Sequence, residues 1–272
     1  MKKEMVTASV VSQRRLADKI YDMVLHAPQI ASCARAGQFV SVYTRDPSRL
    51  LPRPISLCGI ERERERGEMR LVYRVTGEHT GTAEFAGLVP GDQVRLMGPL
   101  GNGFMVLPEK RALLVGGGIG VPPMLQLAKE IRSGCAQGLC GGDAPKIQAV
   151  MGYRDASTFL LDEFAELAES FAATEDGSVG TEGNVLDAIR ANSLSAEVIY
   201  ACGPTPMLRA LKEYALARDM QCFVSMEERM ACGIGACLAC VCESNEKDAH
   251  TNVNNKRICK EGPVFDAREV KL

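Results

Sequence analysis

The sequence predicts a multi-domain chain: an N-terminal antiparallel β-barrel, a central α/β parallel-sheet nucleotide-binding domain and a small C-terminal [2Fe–2S] cluster domain. Three observations predict it. Residues 1 to about 105 carry closely spaced short apolar runs split by Pro and Gly, the pattern of a small barrel or sandwich. Between about 106 and 225, strand-like runs alternate with helical spacing, as in a parallel α/β sheet. Beyond 226, five of the 11 cysteines crowd between 232 and 259, in a segment with too few long apolar runs to bury a core of its own. The expected units are therefore 1–105, 106–225 and 226–272. A chain of 272 residues has room for two to three, at roughly 100–200 residues per domain.

In the first unit the expected strands are VTASVV, YDMVLHA, QFVSVYT, MRLVYRV and DQVRLMG. The run ERERERGE (61–68) reads as a charged, solvated hairpin tip. GPLGNGF (98–104) reads as the turn-rich junction that ends the unit. In the second, RALLVGGGIG is a buried strand running into glycines, and VPPMLQLAKEIRSG has helical spacing. GCAQGLCGGDAP (134–145) reads as a surface loop whose Cys135 and Cys140 lack partners at ligand spacing. KIQAVMGY is a strand, TFLLDEFAELAES a helix and AEVIYACGP a strand ending in a turn. TPMLRALKEYALARD is a helix with Thr205 as its cap and Pro206 in its first turn, and QCFVSME is the last strand.

Composition narrows the function. Net charge is −2 and only 5% of residues are aromatic, which argues against a nucleic-acid binder built on a basic surface and stacking platforms. No uninterrupted apolar stretch reaches 18 residues, so no membrane-spanning helix is expected. The first residues lack the apolar core and cleavage site of a secretory signal. Clustered cysteines in a large chain fit a metal site in the reducing cytoplasm better than a disulfide scaffold.

The strongest motif is MEERMACGIGACLACVCESN followed by RICKEGPVF. Cys232, Cys237 and Cys240 have the C-x4-C-x2-C spacing of a plant-type [2Fe–2S] site, which takes its fourth thiolate from farther on. Cys259 is the expected fourth ligand. Cys242, two residues beyond Cys240, is the competitor, aimed away by a locally extended chain. Gly233 and Gly235 allow the tight bend that points amide N–H groups at sulfur. Structural zinc, which also accepts four cysteines, is the competing chemistry.

The second motif is VGGGIGVPPM (115–124), a strand–glycine–helix junction with proline where the third glycine of a dinucleotide fingerprint would stand. Gly117, Gly118 and Gly120 let a diphosphate approach the backbone at a helix start, and Pro122 suits the first turn. Cys202, Gly203 and Pro204 follow another strand, where α/β sheets place ligands; Cys202 is a candidate for packing on a nicotinamide ring. A third set is weak on spacing alone: Arg53, Pro54, Ile55 and Ser56; Val72, Tyr73 and Arg74; Gly81 and Thr82. Its arginines suit a phosphate, and Gly81-Thr82 offers backbone donors. Arg154 and Asp155, after the second α/β strand, point in opposite directions on NAD against NADP.

Taken in their fixed order, R-P-I-S-L, G-P-L-G-N-G-F, V-G-G-G-I-G-V-P-P, C-G-P-T-P-M-L and M-E-E-R-M-x-C-G-x-G-x-C-x-x-C resemble the electron-transfer subunits of class 1B dihydroorotate dehydrogenase, in the ferredoxin–NADP reductase superfamily. The resemblance spans nearly the whole chain. It implies FAD on the barrel, NAD on the α/β domain as electron acceptor and a [2Fe–2S] tail. It also implies an FMN-containing catalytic partner subunit that oxidises dihydroorotate to orotate in pyrimidine synthesis, with two of each subunit in a heterotetramer. FAD contacts then fall on Arg53, Pro54, Ile55, Ser56, Val72, Tyr73, Arg74, Gly81 and Thr82. The loop TGEHTGT is about two residues longer than the family pattern, which leaves Gly77-Glu78 as the competitor of Gly81-Thr82; His79 within it is expected in solvent. No acid–base pair or nucleophile triad is visible, as suits a subunit whose chemistry belongs to its cofactors. Two rival readings are a diaphorase subunit of another NAD(P)H-dependent ferredoxin or sulfide oxidoreductase, and a zinc-stabilised nucleotide-binding module without turnover.

Overall fold

The structure, a computed structural model, describes residues 3–63, 67–107, 109–136, 147–248 and 252–272, with backbone only at 135 and 136. The stretch of the charged hairpin tip at 64–66, and most of the loop expected at 134–145 with Cys140 and the side chain of Cys135, lie outside the described residues.

Six strands close the barrel: β1 Glu4–Ala17, β2 Ile20–His26, β3 Phe39–Val42, β4 Arg53–Glu61, β5 Glu68–Arg74 and β6 Gln93–Leu100. Their order around it is β1-β2-β5-β4-β3-β6, all neighbours antiparallel. Closure leaves no edge strand to aggregate. Alternation sorts the side chains: Val40, Val42, Ile55, Leu57, Met69, Leu71 and Tyr73 fill the interior with Met23, Leu25 and Leu96. Two short helices, α1 Pro28–Ala31 and α2 Gly81–Ala86, add Ile30 and Phe85 to that interior.

The central sheet is built from β7 Ala112–Gly117, β8 Ile147–Tyr153, β9 Glu169–Thr174, β10 Thr181–Glu182, β11 Val198–Cys202 and β12 Gln221–Ser225. They lie in the order β10-β9-β8-β7-β11-β12 and run parallel. Helix α3, Val121–Ala136, covers one face, packing Met124, Leu125 and Ala128 with Ala112, Leu114 and Tyr200. After the single short turn α4, Leu161–Ala165, helices α5 Val185–Ala191 and α6 Thr205–Leu216 cover the other face, against Leu113, Val115 and Ile199. Burial on both faces explains why these strands read as unbroken apolar runs. The chain winds outward from β7 in both directions, so the strand order reverses there, and such a switch point is where this architecture binds ligands.

The C-terminal segment forms the ribbon β13 Val241–Glu243 and β14 Asn255–Arg257, and then β15 Val264–Asp266. β15 pairs antiparallel with β12, adding a seventh strand to the central sheet. Cys240, Ile258, Phe265 and Val270 share one buried cluster with Leu208 and Leu211 of α6. The segment thus borrows the core it cannot build. Asn102, beyond the barrel's last strand, fastens it: its Nδ2 donates to the carbonyls of Glu261 and Val264 at 2.8 and 2.9 Å, and its Oδ1 accepts from Val264 N at 3.1 Å. Asn102→Ala orphans these groups, and we expect it to lower stability by about 1–3 kcal/mol, read as a drop in thermal midpoint.

Polar side chains fix the barrel on the α/β unit. Gln126 of α3, 2% exposed, accepts from Ile60 N at 2.9 Å. Glu130, one turn on, takes Arg62 at 2.7 Å and Ala36 N at 3.1 Å. Arg70 bridges Asp22 of β2, at 2.9 Å, and Glu163 of α4, at 2.5 Å.

Three expectations are corrected. TFLLDEFAELAES is helical only over α4, and its end turns into β9, whose Phe171 and Ala173 pack under α5. The apolar spacing of Phe159, Leu160, Phe164 and Leu167 reflects packing around that turn, on α3's side of the sheet. Thr205 is the first helical residue of α6 rather than its cap, a place taken by Pro204. Helix α3 extends through Ala136, into the stretch read as loop.

Candidate functional site

The cluster loop runs from Met226 to Cys240. Gly233 and Gly235 have φ of +68° and +88°, a left-handed backbone open to glycine at little cost. That bend turns the N–H groups of Ile234, Ala236 and Cys237 onto Cys232 Sγ at 3.5, 3.3 and 3.4 Å. Slight burial raises the Cys232 thiol, but these N–H groups and the Cys237 thiol outweigh it and bring it down to about 6. Cys259, 1% exposed, joins them from the returning chain: its N–H reaches Cys240 Sγ at 3.4 Å, and its thiol also lies within the field of Cys232. Burial and the hydrogen bond to the Cys240 thiol push Cys259 up to about 12.

The sulfurs thus stand in two pairs, Cys232 with Cys237 and Cys240 with Cys259. The Cys232 charge also bears on Cys259, so the four thiols serve one small volume, and four thiols in a C-x4-C-x2-C loop plus a later cysteine fit the donor set of a [2Fe–2S] centre. Cys242 faces away, with Sγ donating to the Lys256 carbonyl at 3.5 Å across the β13–β14 ribbon.

On the barrel, Pro54 and Ser56 alternate with buried Ile55 and Leu57, so they face outward. Arg53 and Gly81 are brought together: a Cβ on Gly81 would meet Arg53 Nε at 3.0 Å. Arg53 donates to the Leu51 carbonyl at 2.6 Å and has no carboxylate partner among the described residues, leaving its charge available to a phosphate. Gly81 and Thr82 are buried, whereas Gly77, Glu78 and His79 are exposed. Thr82 Oγ1 accepts from Thr76 N at 3.2 Å, which folds the long loop over. The geometry therefore favours Gly81-Thr82 at the Arg53 side.

Not every expected FAD residue presents its side chain. Ile55 and Tyr73 point into the barrel core. Tyr73 OH accepts from Gln13 Nε2 at 2.8 Å, and its ring stacks on Tyr21 and meets Phe85 edge-on. Val72 packs with Cys58 and Ile20 under α3. These three offer a cofactor only their backbone.

At the switch point, Gly117 ends β7 and a 3-10 turn, Gly118–Gly120, leads into α3. A Cβ on Gly120 would stand 2.2 Å from the Cys202 carbonyl oxygen, so only glycine lets the turn lie against β11. A Cβ on Gly117 would meet Met207 Sδ at 2.6 Å and Pro204 Cδ at 3.1 Å. Pro122 is buried in the first turn of α3 and brings no N–H of its own. Cys202, 1% exposed, pairs in register with Ser225; burial pushes its thiol up, and Glu227 adds to this. Arg74 reaches over from the barrel: a Cβ on Gly118 would lie 3.5 Å from its Nη2. Arg74 thus brings the outer barrel face beside the glycine turn.

Residues the motifs did not single out also line this region. Glu227 follows β12 and faces Arg74 and Cys202; desolvation raises its carboxyl and Arg74 offsets part of the rise. Its signal was its place just past a parallel strand, masked by the adjacent cysteine motif. Met207 backs Gly117, and its signal was the apolar face of α6. Arg154 and Asp155 are exposed at the end of β8, and Asp155 accepts from Ser157 N at 2.8 Å.

Comparison with known proteins gives the same division of labour. Residues 227–271 match the iron–sulfur cluster binding domain of dihydroorotate dehydrogenase B, and residues 114–213 match the oxidoreductase NAD-binding domain. The electron transfer subunit of dihydroorotate dehydrogenase B (NAD(+)) from Geobacillus kaustophilus (strain HTA426) is 44% identical over 271 residues, covering 97% of each chain. The Listeria monocytogenes protein of the same name is 41% identical over 267 residues, again covering 97% of each. Among solved structures, an NADH-dependent reduced ferredoxin–NADP oxidoreductase superposes with TM-score 0.82 at 27% identity, over 97% of this chain and 89% of that one. A Neisseria gonorrhoeae ferredoxin NADP+ reductase with bound FAD and NADP shares the fold, with TM-score 0.62 at 17% identity over 84% of this chain and 95% of that one. With paired cysteine sulfurs, a glycine turn at the switch point and near full-length identity above two-fifths, the chain belongs to the family of electron-transfer subunits of dihydroorotate dehydrogenase B.

Proposed function

We propose that this chain carries reducing equivalents between NAD and an FMN-containing catalytic subunit that oxidises dihydroorotate to orotate, in a heterotetramer of two of each subunit in the cytoplasm. One observation carries the reading. The outer barrel face bearing Pro54 and Ser56 lies between the glycine turn, reached through Arg74, and the cysteine loop, seated through Gly233. When bound, nicotinamide exchanges hydride, FAD mediates between electron pairs and single electrons, and the cluster passes single electrons.

The chain's own residues hold and insulate. Cys232, Cys237, Cys240 and Cys259 supply the thiolates, with N–H groups already aimed at Cys232. Arg53 and Arg74 neutralise a diphosphate to which Gly81 and Thr82 donate; Pro54 and Ser56 form the wall with their side chains, and Ile55, Val72 and Tyr73 with their backbone alone. Gly117, Gly118, Gly120 and Pro122 shape the dinucleotide turn, and Cys202, Gly203 and Pro204 floor the nicotinamide end. Ile234 and Leu238, 44% and 53% exposed on the cluster loop, offer the partner an apolar landing, while Met226 and Met230 pack inward beneath the loop. No helix among the described residues is long and apolar enough to cross a membrane, and neither membrane nor nucleic acid enters the reading.

Co-expression with an orotate-forming flavoprotein and anaerobic purification test it. The expected complex holds FAD, FMN, iron and sulfide, and couples dihydroorotate oxidation to NAD+ reduction. A loaded complex that passes no electrons between the two substrates overturns it. The likeness to the ferredoxin–NADP oxidoreductase favours one second reading, a diaphorase subunit for another redox partner. Coupling to ferredoxin in place of the orotate-forming subunit would select it. At the flavin, Arg53→Ala is expected to lower bound FAD per chain several-fold with iron content unchanged, read from the visible spectrum.

A further inference from the structure

Ser41 is 1% exposed on β3, and its hydroxyl is engaged by no hydrogen bond among the described residues. Its neighbours Val40 and Val42 point into the barrel, so Ser41 faces outward. There it pairs with Pro54 of β4 on one side and Met97 of β6 on the other. The cluster loop rests on this point. A Cβ on Gly233 would stand 3.0 Å from Ser41 Oγ, 3.2 Å from Leu100 Cδ1 and 3.6 Å from Met97 Cε. Gly233 follows Cys232 directly, and Pro54 is one strand away from Ser41. The joint between the cluster loop and the flavin-facing strand is therefore a glycine backbone against a serine.

We propose that Ser41 is a positioning residue for electron passage between cluster and flavin: its small side chain sets how closely the cysteine loop seats on the flavin-binding face. The inference rests on the relay reading above. The step it governs moves one electron and breaks no bond, so its rate depends on separation and falls steeply as the gap widens. Interiors pack too densely to absorb an added methyl group without a shift. The loop, held here by a glycine with no side chain to rearrange, is the part that must lift.

The test uses the holo-complex with Ser41→Ala, Ser41→Thr and Ser41→Val, mixed anaerobically with NADH. Flavin bleaching is followed by stopped flow, and the reduced-cluster signal by freeze-quench electron paramagnetic resonance. We expect flavin bleaching at the unsubstituted rate in all three, with iron content and signal shape unchanged. Cluster reduction should slow several-fold in Val, less in Thr and not in Ala. Should Val lose iron, Thr, one methyl larger than Ser, decides. Cluster reduction at the original rate in a loaded Val or Thr variant overturns the proposal. So does an Ala variant as slow as Val, which would assign the effect to the hydroxyl. A wild-type complex whose flavin bleaches while its cluster never reduces overturns the relay itself, a result distinct from either.

Discussion

Cys259→Ser is expected to yield protein without a stable [2Fe–2S] centre, and Cys242→Ser to retain iron and sulfide at the unsubstituted level. Both cysteines are buried, and they lie in the same small segment, so burial does not separate them. Orientation does. Cys259 sits against Cys240, its own N–H on the Cys240 sulfur. Cys242 turns its sulfur to the Lys256 carbonyl on the ribbon's other side. A serine at 259 replaces a soft thiolate with a hard, scarcely ionised oxygen, a poor ligand for iron–sulfur chemistry. The measurement is iron and acid-labile sulfide per chain after anaerobic purification, with flavin content as the control for folding. Cluster loss in Cys242→Ser with retention in Cys259→Ser would exchange the two roles.

Gly120→Ala is expected to remove most NADH-driven flavin reduction. The added carbon would lie 2.2 Å from the Cys202 oxygen, 2.5 Å from its carbonyl carbon and 2.7 Å from Gly203 N. All three are backbone atoms of a sheet and turn, so no rotamer change relieves the clash. The turn must lift off β11, at a cost of about 1–3 kcal/mol or more. Lifting would displace both the glycine turn and the Cys202–Gly203 turn that it rests on, the two segments expected at the nucleotide. If a comparable penalty falls on the hydride-transfer geometry, the rate drops on the order of tenfold or more. Stopped-flow bleaching by NADH reads it, and dithionite reduction of the same flavin shows that the cofactor is present. Gly118→Ala is the milder companion: its nearest neighbour is the end of the Arg74 side chain at 3.5 Å, so its cost is the strain of a side chain at φ +54°, about 1–2 kcal/mol, without a backbone clash. Equal rates in Gly120→Ala and the parent would show that the glycine turn does not hold the nucleotide.

Chemistry carried by local spacing was legible in the sequence, and chemistry carried by long-range approach was not. The cysteine loop could be read because three of the four expected ligands and both bending glycines lie within nine residues, 232–240. The α/β strands could be read because burial on both faces leaves unbroken apolar runs such as Ala112–Val115. Strand β9 could not: Glu169 and Ser170 continue the polarity of the turn before them, and only sheet pairing makes them extended. Tyr73 and Ile55 were expected at the cofactor because their motifs are contiguous, but period-two alternation sends their side chains inward. Ser41 carried no signal, since its meaning lies in a contact with Gly233, almost two hundred residues away. Cys259 could be named from the sequence as the expected fourth ligand, but the route that brings it beside Cys240, the return of β14 along β13, was not legible.

The antiparallel addition of β15 to β12 bears on protein engineering. The iron–sulfur portion looks like a cassette that could be cut at residue 226 and grafted onto another flavoprotein. Yet it leaves with a strand of its host's sheet, and the host keeps the asparagine that clasps it. A chimera made at that junction would expose a raw sheet margin on one product and strip the other of its foundation. Recombination would have to trade the whole reductase, or carry β12, β15 and the Asn102 turn as a single heritable block.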